Sequence, residues 1–184
     1  GPHWRVSPYY VAQGPQMLRA AEQNHLEGII AKRLDSPYQP GRHSPEWIKL
    51  KIVQEEEFII GGWTGEKNSA DGLGSILVGY YDASCSGRRT SRLRYAGRVG
   101  TGFDARTRHR LLAQLKPLAR STSPFVDALP PPSRFARSSA TIHFAEPKLV
   151  AQIAYCRWPD GGAIQHASFL GLRDDKAARE VVRC

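Results

Sequence analysis

Short segments rich in apolar residues predict β-strands over most of the chain that follows residue 53. Five such segments occur, and turn residues such as glycine, proline or serine separate them. Between the third and fourth segments, apolar residues recur at helical spacing instead. The predicted strands are 57–63, 75–82, 91–99, 148–158 and 163–169, and the predicted helix is 103–118. The pattern therefore predicts a mainly β domain with one inserted helix.

This set of elements is typical of an OB-fold, a five-stranded, partly open barrel that often binds oligonucleotides. We expect the OB-fold domain to cover residues 54–184. Residues 121–140 contain three consecutive prolines and several serines, and we interpret them as a surface loop within that domain.

The first 53 residues predict fewer elements. A short helix is predicted at 14–25, with Pro15 in its first turn, and two strands follow on either side of a Pro- and Gly-containing loop at 36–41. A helix and a hairpin bury too little apolar surface to form a domain alone. We therefore expect residues 1–53 to be the end of a larger domain.

The second of these strands contains the first candidate chemistry. In residues 47–52, a period of two places Lys49 and Lys51 on one face with Trp47, and the apolar residues on the face that should meet a core. Two neighbouring ammonium groups repel each other, so the arrangement favours a bound anion such as a nucleotide phosphate. The alternative is a half-exposed edge strand with two solvated lysines.

The first strand adds a carboxylate and a third lysine. Glu27 precedes an apolar run, Gly28 removes a side chain where a ligand could approach the backbone, and Lys32 ends the run. One carboxylate and three lysines in a hairpin suit a phosphate with a divalent metal, because lysines neutralise phosphate oxygens and a carboxylate can hold the metal.

These segments resemble known motifs. Residues 27–32 (Glu-Gly-Ile-Ile-Ala-Lys) and 47–51 (Trp-Ile-Lys-Leu-Lys) are similar to motifs IV and V of the covalent nucleotidyltransferases, which include ATP-dependent DNA ligases and mRNA capping enzymes. Residues 173–176 (Arg-Asp-Asp-Lys) resemble motif VI, and the intervening segments 58–63, 77–81 and 95–103 look like the ligase domain of bacterial end-joining ligases of the ligase D type. Three motifs in the family's order are stronger evidence than any one of them.

The resemblance implies a fold and a set of roles. It implies the same OB-fold, ATP as AMP donor, and Mg²⁺ or Mn²⁺ held by Glu27. Lys32, Lys49 and Lys51 would lie at the nucleotide phosphates. Arg173, Asp175 and Lys176 would close over the β- and γ-phosphates, sharing one face if a helical turn begins at Arg173. An exposed C-terminal helix with mixed charges is the alternative for residues 173–176.

One family motif is absent. The nucleophilic lysine of these enzymes lies in a Lys-x-Asp-Gly sequence upstream of motif IV, and this chain contains no such tetrapeptide. We therefore interpret the chain as the C-terminal part of a DNA ligase that acts in repair by end joining, active as part of its parent and inactive alone in self-adenylation.

The charge distribution predicts contact with DNA. The net charge is +9, from 26 basic and 17 acidic residues, and residues 86–120 contain ten basic residues against one acid, Asp104. Clustered arginines favour a polyanion, and the alternative is a solvated basic face. The candidate DNA-binding residues are Arg88, Arg89, Arg92, Arg94, Arg98, Arg106 and Arg110.

The remaining expectations concern partners and location. We expect nicked or broken duplex DNA as substrate, end-joining proteins as partners, a monomeric chain and no membrane segment. Three cysteines without a Cys-x-x-Cys pair fit a reducing cytoplasm, here near the nucleoid. A noncatalytic OB-fold that binds nucleic acid, and a capping guanylyltransferase that uses GTP, are the alternative functions.

Overall fold

The computed structural model describes residues 8–24, 26–66, 69–83, 89–130 and 141–183, without the side chains of residues 66, 69–71, 83 and 89–91. Its elements divide between two compact units, Gly1–Val53 and Gln54–Cys184. Within the described residues, no helix is long and apolar enough to cross a bilayer.

The first unit consists of one helix and one hairpin. Helix α1 covers Gly14–Gln23, and strands β1 (Gly28–Lys32) and β2 (Trp47–Lys51) pair in antiparallel fashion. The helix ends at Asn24, whose backbone N–H and side-chain Nδ2 both donate to the carbonyl oxygen of Ala20, at 3.1 and 2.8 Å. Ala21 is the only buried residue of this helix.

The apolar face of the hairpin is not covered within this unit. Ile48 is 56% exposed and Leu50 is 40% exposed, whereas Ile52, just after β2, is buried. The expectation that Ile48 and Leu50 face a core is therefore wrong for the described residues. The physical reason is that a ten-residue helix offers too little apolar surface to cover both the hairpin and its loop.

The second unit is built on a single sheet. Its elements, in chain order, are β3 (Gln54–Glu66), β4 (Ser69–Ala83), β5 (Arg89–Val99), α2 (Ala105–Leu115), β6 (Ala119–Arg120), β7 (Ile142–Ala145), β8 (Val150–Tyr155), β9 (Ser168–Leu172) and β10 (Val182–Arg183). Short 3₁₀ turns follow α2 and precede β10.

Strand β3 lies at the centre of the sheet. It pairs with β4 along one edge and with β8 and then β7 along the other. Strands β5 and β10 pair with β4, β9 pairs with β8, and β6 pairs with β7. In the described part of the chain, these ladders do not form a closed ring.

The prediction of a mainly β fold is confirmed, with differences in the strands. The five predicted strands overlap β3, β4, β5, β8 and β9, whereas β6, β7 and β10 were not predicted because two to four residues are too short to show a period. The fifth predicted strand, 163–169, is displaced to Ser168–Leu172. His166 has a φ of 54°, in the left-handed region, and this conformation interrupts an extended strand.

Helix α2 begins and ends at clear signals. The side chain of Asp104 accepts a hydrogen bond from the backbone N–H of Thr107 at 2.6 Å, which caps the first turn. The α-helix ends at Leu115 and gives way to a 3₁₀ turn that contains Pro117. The apolar stripe predicted for this helix consists of Phe103, Thr107, Leu111, Leu115 and Leu118. Leu111 and Leu115 of this stripe are buried, and so is Leu112, which the prediction did not include.

The two apolar clusters of the core show that the neighbouring glutamates Glu56 and Glu57 of β3 lie on opposite faces of the strand. Phe58 belongs to the larger of two apolar clusters and Ile59 to the smaller one, because alternate residues of a strand point to opposite faces. Glu56 therefore lies on the face of Phe58, and Glu57 lies on the face of Ile59. This difference places the two neighbouring carboxylates in separate networks.

Candidate functional site

The register of the hairpin gathers the three predicted lysines. Ile30 lies opposite Lys49, Lys32 opposite Trp47, and Gly28 opposite Lys51. Residues directly opposite in an antiparallel pair share a face, so all three lysines lie on one face together with Trp47. All three lysines are exposed.

Glu27 forms an ion pair with one of these lysines. The Nζ atom of Lys49 donates to Oε1 of Glu27 at 2.7 Å, and both side chains are about half exposed. The carbonyl oxygen of Glu27 also accepts the N–H of Ile52 at 2.9 Å, which extends the hairpin by one rung. A half-exposed pair of this kind contributes little to stability, about 0–1 kcal/mol, so its importance lies in the position that it gives the two charges.

Lys32 is held by an aromatic ring. Its Nζ atom lies 4.0 Å from the centroid of the Trp47 ring, a cation–π contact. The indole Nε1 donates to Oγ of Ser36 at 2.9 Å, and the ring of Tyr38 lies 5.6 Å from that of Trp47. The sequence placed Trp47 on this face, and the structure adds that the indole holds Lys32.

A depression of about 450 Å³ adjoins this face. Its lining includes Trp47 and Lys49 together with residues of the connecting loop, Tyr38, Arg42 and His43 among them. A second depression of about 500 Å³ is bordered by Ala31, Lys32, Pro45 and Ile48. Each depression thus contains one lysine of the face, and we take the first as the candidate nucleotide site because its lysine, Lys49, is the one that pairs with Glu27.

Gly28 serves the hairpin rather than a ligand. Its φ is 150°, and a Cβ atom there would lie 2.0 Å from the carbonyl oxygen of Leu50. Glycine is therefore required for the two strands to pair at this point. The sequence suggested an approach by a ligand, whereas the structure shows an approach by the opposite strand.

Residues 173–176 form a turn after β9 and not a helix, so the expected helical turn is wrong. The strand continues to Leu172 because Gln152 and Ala151 of β8 pair with Gly171 and Leu172. Arg173 and Lys176 still come together, because both donate to the same carboxylate, that of Glu57.

The contacts of this turn are extensive. Arg173 donates from Nη1 to Glu57 at 2.7 Å and to Oε1 of Gln152 at 3.2 Å. Its Nε and Nη2 atoms donate to the two carboxylate oxygens of Asp175 at 2.9 and 2.8 Å. The hydrogen bond from Arg173 lowers the pKa of Asp175 to about 2, and Asp175 in turn raises the pKa of Arg173. Asp175 therefore orients Arg173, as the sequence suggested.

Glu57 is the site residue that sequence reasoning missed. It lies in a run of three glutamates at the start of β3, where it was counted only as part of a strand. The available signal was the alternation, which places Glu57 on the face opposite Phe58. The residues around Glu57 come from β8 and from the turn after β9, and only the order of the strands in the sheet brings them close to Glu57.

The predicted DNA-binding arginines do not form one continuous surface. An extra residue in β5 shifts its register against β4 between Tyr95 and Gly97. Arg94 consequently lies beside Tyr80, and Arg98 lies beside Leu77 on the other face of the sheet. Arg92, Arg98, Arg106 and Arg110 are exposed, Arg88 lies outside the described residues, and the side chain of Arg89 is not described.

Arg94 is engaged within the protein. Its guanidinium donates to Asp127 at 2.8 Å and to Asp82 at 3.3 Å, and these hydrogen bonds to the two carboxylates raise the pKa of Arg94. Asp127 also accepts the backbone N–H of Tyr95 at 3.1 Å. Arg110 lies 3.9 Å from Asp174, a looser contact between exposed groups. Arg94 thus stabilises a loop contact and is the least available for phosphate among the candidate arginines whose side chains the structure describes.

The donor set for a divalent metal is small. Among the described residues, no group of three or more His, Cys, Asp or Glu side chains could hold a metal ion. On the lysine face, Glu27 supplies one carboxylate. A Mg²⁺ or Mn²⁺ ion fits this site only if phosphate oxygens and water supply most of its ligands, which is the usual arrangement for Mg²⁺ with nucleotides.

Comparison with known proteins decides the family. The family model described as ATP dependent DNA ligase C terminal region matches residues 69–176, and the ATP dependent DNA ligase domain matches residues 8–51. The chain belongs to the ATP-dependent DNA ligase family. The resemblance seen in the sequence is confirmed, and the two matches fall on the two units of the structure.

Individual relatives of this ligase chain are end-joining proteins. It is 40% identical to the multifunctional non-homologous end joining protein LigD of Mycobacterium bovis over 171 residues, 92% of this chain and 21% of that protein. It is 41% identical to LigD of Pseudomonas aeruginosa, over 93% of this chain and 19% of that protein. The chain therefore spans about a fifth of the length of these relatives.

Solved structures show the same relationship. The ligase domain of LigD from M. tuberculosis superposes with a TM-score of 0.60 at 39% identity, over 93% of this chain and 52% of that domain. A mycobacterial DNA ligase D complexed with ATP and MES superposes with a TM-score of 0.53 at 38% identity, over 93% of this chain and 51% of that one. The ligase chain thus corresponds to about half of a ligase domain.

Proposed function

We propose that this chain is the C-terminal part of an ATP-dependent DNA ligase of the LigD type, which seals breaks in duplex DNA during end joining. In this proposal, residues 1–53 end the adenylation domain and residues 54–184 form the OB-fold domain. The observation that supports it most is the hairpin face, where Glu27, Lys49 and Lys51 come together in the order of motifs IV and V.

The resemblance implies three steps for the whole ligase. A lysine attacks the α-phosphate of ATP and forms lysyl-AMP while pyrophosphate leaves. The AMP then passes to the 5′-phosphate of a DNA break, and a 3′-hydroxyl displaces it as the strand is sealed. In each step negative charge increases on phosphate oxygens, and fixed cations lower the barrier by stabilising that charge.

The residues of this chain have separate roles in these steps. Lys49 and Lys51 neutralise the α-phosphate, Lys32 lies near the nucleotide phosphates, and Glu27 orients Lys49 and holds one ligand position of Mg²⁺ or Mn²⁺. The ion, when bound, neutralises further phosphate charge. Arg173 and Lys176 contact the β- and γ-phosphates, with Arg173 held in orientation by Asp175.

Nick sealing tests this function directly. The longest native protein that contains these residues is expected to seal a nicked duplex with ATP and Mg²⁺ and to fail to seal it with GTP. Sealing with GTP alone would instead support the related capping enzymes. DNA binding without any response to either nucleotide would support a noncatalytic OB-fold.

DNA binding by the chain itself gives a separate prediction. We expect weak binding to duplex DNA without sequence preference, because the basic residues of 86–120 release counterions from the phosphate backbone. If about four arginines contact phosphates, log affinity should fall against log salt with a slope of about −3 to −4. The measurement is a fluorescence-anisotropy titration at several salt concentrations.

Reversing the charge of selected arginines tests whether residues 86–120 contact the DNA. Changing Arg92, Arg98 and Arg106 together to glutamate should weaken binding and flatten the slope. The matched control reverses three exposed cations elsewhere, Arg19, Lys148 and Arg179, and changes the net charge equally. If both triple variants lose the same affinity, net charge alone explains the binding, and the assignment of DNA contact to the arginines of residues 86–120 is wrong.

A further inference from the structure

Glu57 connects the two cations of the motif VI turn. Its Oε1 atom accepts from Nη1 of Arg173 at 2.7 Å, and its Oε2 atom accepts from Nζ of Lys176. Glu57 is 23% exposed, and it extends from β3, which has paired strands on both edges. A partly buried carboxylate on a central strand is a fixed point against which two long, flexible side chains are held.

The hydrogen-bonding capacity of Arg173 is almost fully used. A guanidinium has five N–H donors. Within the described residues, two of them reach Glu57 and Gln152, and two reach the carboxylate of Asp175. One donor is left. A phosphate that contacts Arg173 with two hydrogen bonds must therefore replace one of these partners.

The charge of the cluster leads to the same conclusion. Arg173 and Lys176 supply two positive charges, and Glu57 and Asp175 supply two negative charges. A neutral cluster attracts a polyphosphate only weakly. Asp175 is 68% exposed and lies two residues after Arg173, whereas Glu57 bridges both cations, so removal of the Glu57 contact frees the most positive charge at one point.

We propose that Glu57 is a positioning residue for the phosphate-binding cations, which holds Arg173 and Lys176 together until a nucleotide polyphosphate replaces its carboxylate. The proposal rests on the function proposed above, since it assigns these cations to the β- and γ-phosphates. The exchange forms and breaks hydrogen bonds only. Phosphate oxygens, which carry more negative charge, take the place of the Glu57 carboxylate, so binding of the polyphosphate itself breaks the contacts of Glu57.

The test uses this chain and inorganic tripolyphosphate as the probe. Changing Glu57→Gln keeps the size of the side chain and one acceptor oxygen but removes the competing charge. Isothermal titration calorimetry should show affinity for tripolyphosphate that is about tenfold higher than in the unchanged chain, as expected for loss of one charge-assisted contact. Adding Lys176→Ala to this variant should remove the gain.

A neighbouring glutamate provides the matched control. Glu56 accepts from the hydroxyl of Tyr155 and from Arg183, on the opposite face of β3. Glu56→Gln changes the net charge by the same amount and should alter the affinity by less than about twofold, because the partners of Glu56 are Tyr155 and Arg183 rather than the two cations of the turn. Equal gains in both variants would overturn the proposal.

A second measurement needs no variant. In the unchanged chain, the side-chain carboxyl carbon of Glu57 should change its NMR shift as tripolyphosphate is added, whereas that of Glu56 should not. Unchanged or weaker binding by Glu57→Gln would overturn the exchange, and so would a lower melting temperature without a gain in affinity, because it indicates a purely structural role.

Failure of this inference is distinguishable from failure of the ligase function. Sealing with ATP combined with no gain in Glu57→Gln would remove only the exchange. A gain in Glu57→Gln combined with no sealing would leave a polyphosphate site regulated by Glu57 and remove the ligase proposal.

Discussion

This chain, incubated with ATP and Mg²⁺, is expected to gain no covalently bound AMP. A lysine must be uncharged to attack phosphorus, and the family provides it in a Lys-x-Asp-Gly motif that these 184 residues do not contain. Two lysines of the hairpin face are already held in contacts within the protein, Lys49 with the Glu27 carboxylate and Lys32 with the Trp47 ring. Intact-mass spectrometry measures the outcome directly.

The matched positive control is the longest native protein that contains these residues, incubated under the same conditions. It should gain one covalently bound AMP, and added pyrophosphate should remove that AMP. A stoichiometric adduct on any lysine of the present chain would contradict the prediction. It would show that one of these residues is a nucleophile and that the assignment of the hairpin lysines to phosphate binding is wrong.

In the longest native protein that contains these residues, Lys49→Ala or Lys51→Ala is expected to lower the rate of nick sealing by about one to two decades. Each change removes a charge-assisted contact to phosphate, worth about 1.5–3 kcal/mol if it forms in the transition state. Lys49→Ala also leaves Glu27 without its 2.7 Å partner, so its effect should be at least as large as that of Lys51→Ala. Single-turnover sealing of a labelled nicked duplex gives the rates.

Lys148→Ala is the control for this pair, because Lys148 is exposed and lies before β8 on the other unit. It should seal at the unchanged rate. Equal rates for all three variants would remove the argument that the hairpin face binds phosphate, and melting curves for each variant would separate this result from a loss of folding.

Much of the site could be predicted because its geometry is local. In a hairpin, the strand period fixes which side chains share a face, and so Lys49, Lys51 and Trp47 could be placed together from five consecutive residues. The helix α2 could be predicted for the same reason, from its apolar stripe and from Asp104 at its start. The end of the helix differed by one 3₁₀ turn, which contains Pro117.

Other features depended on contacts between distant segments. The bulge in β5 moved Arg98 to the face opposite Arg94, and no residue pattern around position 96 predicted it. The left-handed conformation of His166 displaced the start of β9. Ile48 and Leu50 showed an apolar face by their period, but whether a face is covered depends on the residues that pack against it.

The sequence by itself determined the β-rich pattern, the lysine face and the family motifs, because each depends on residues that are near one another in the chain. Only the tertiary structure decided that Glu57 receives both Arg173 and Lys176, which are 116 and 119 positions away. That contact follows from the order of β3, β8 and β9 in the sheet. Strand order is set by burial of the whole core, and local periodicity contains no information about it.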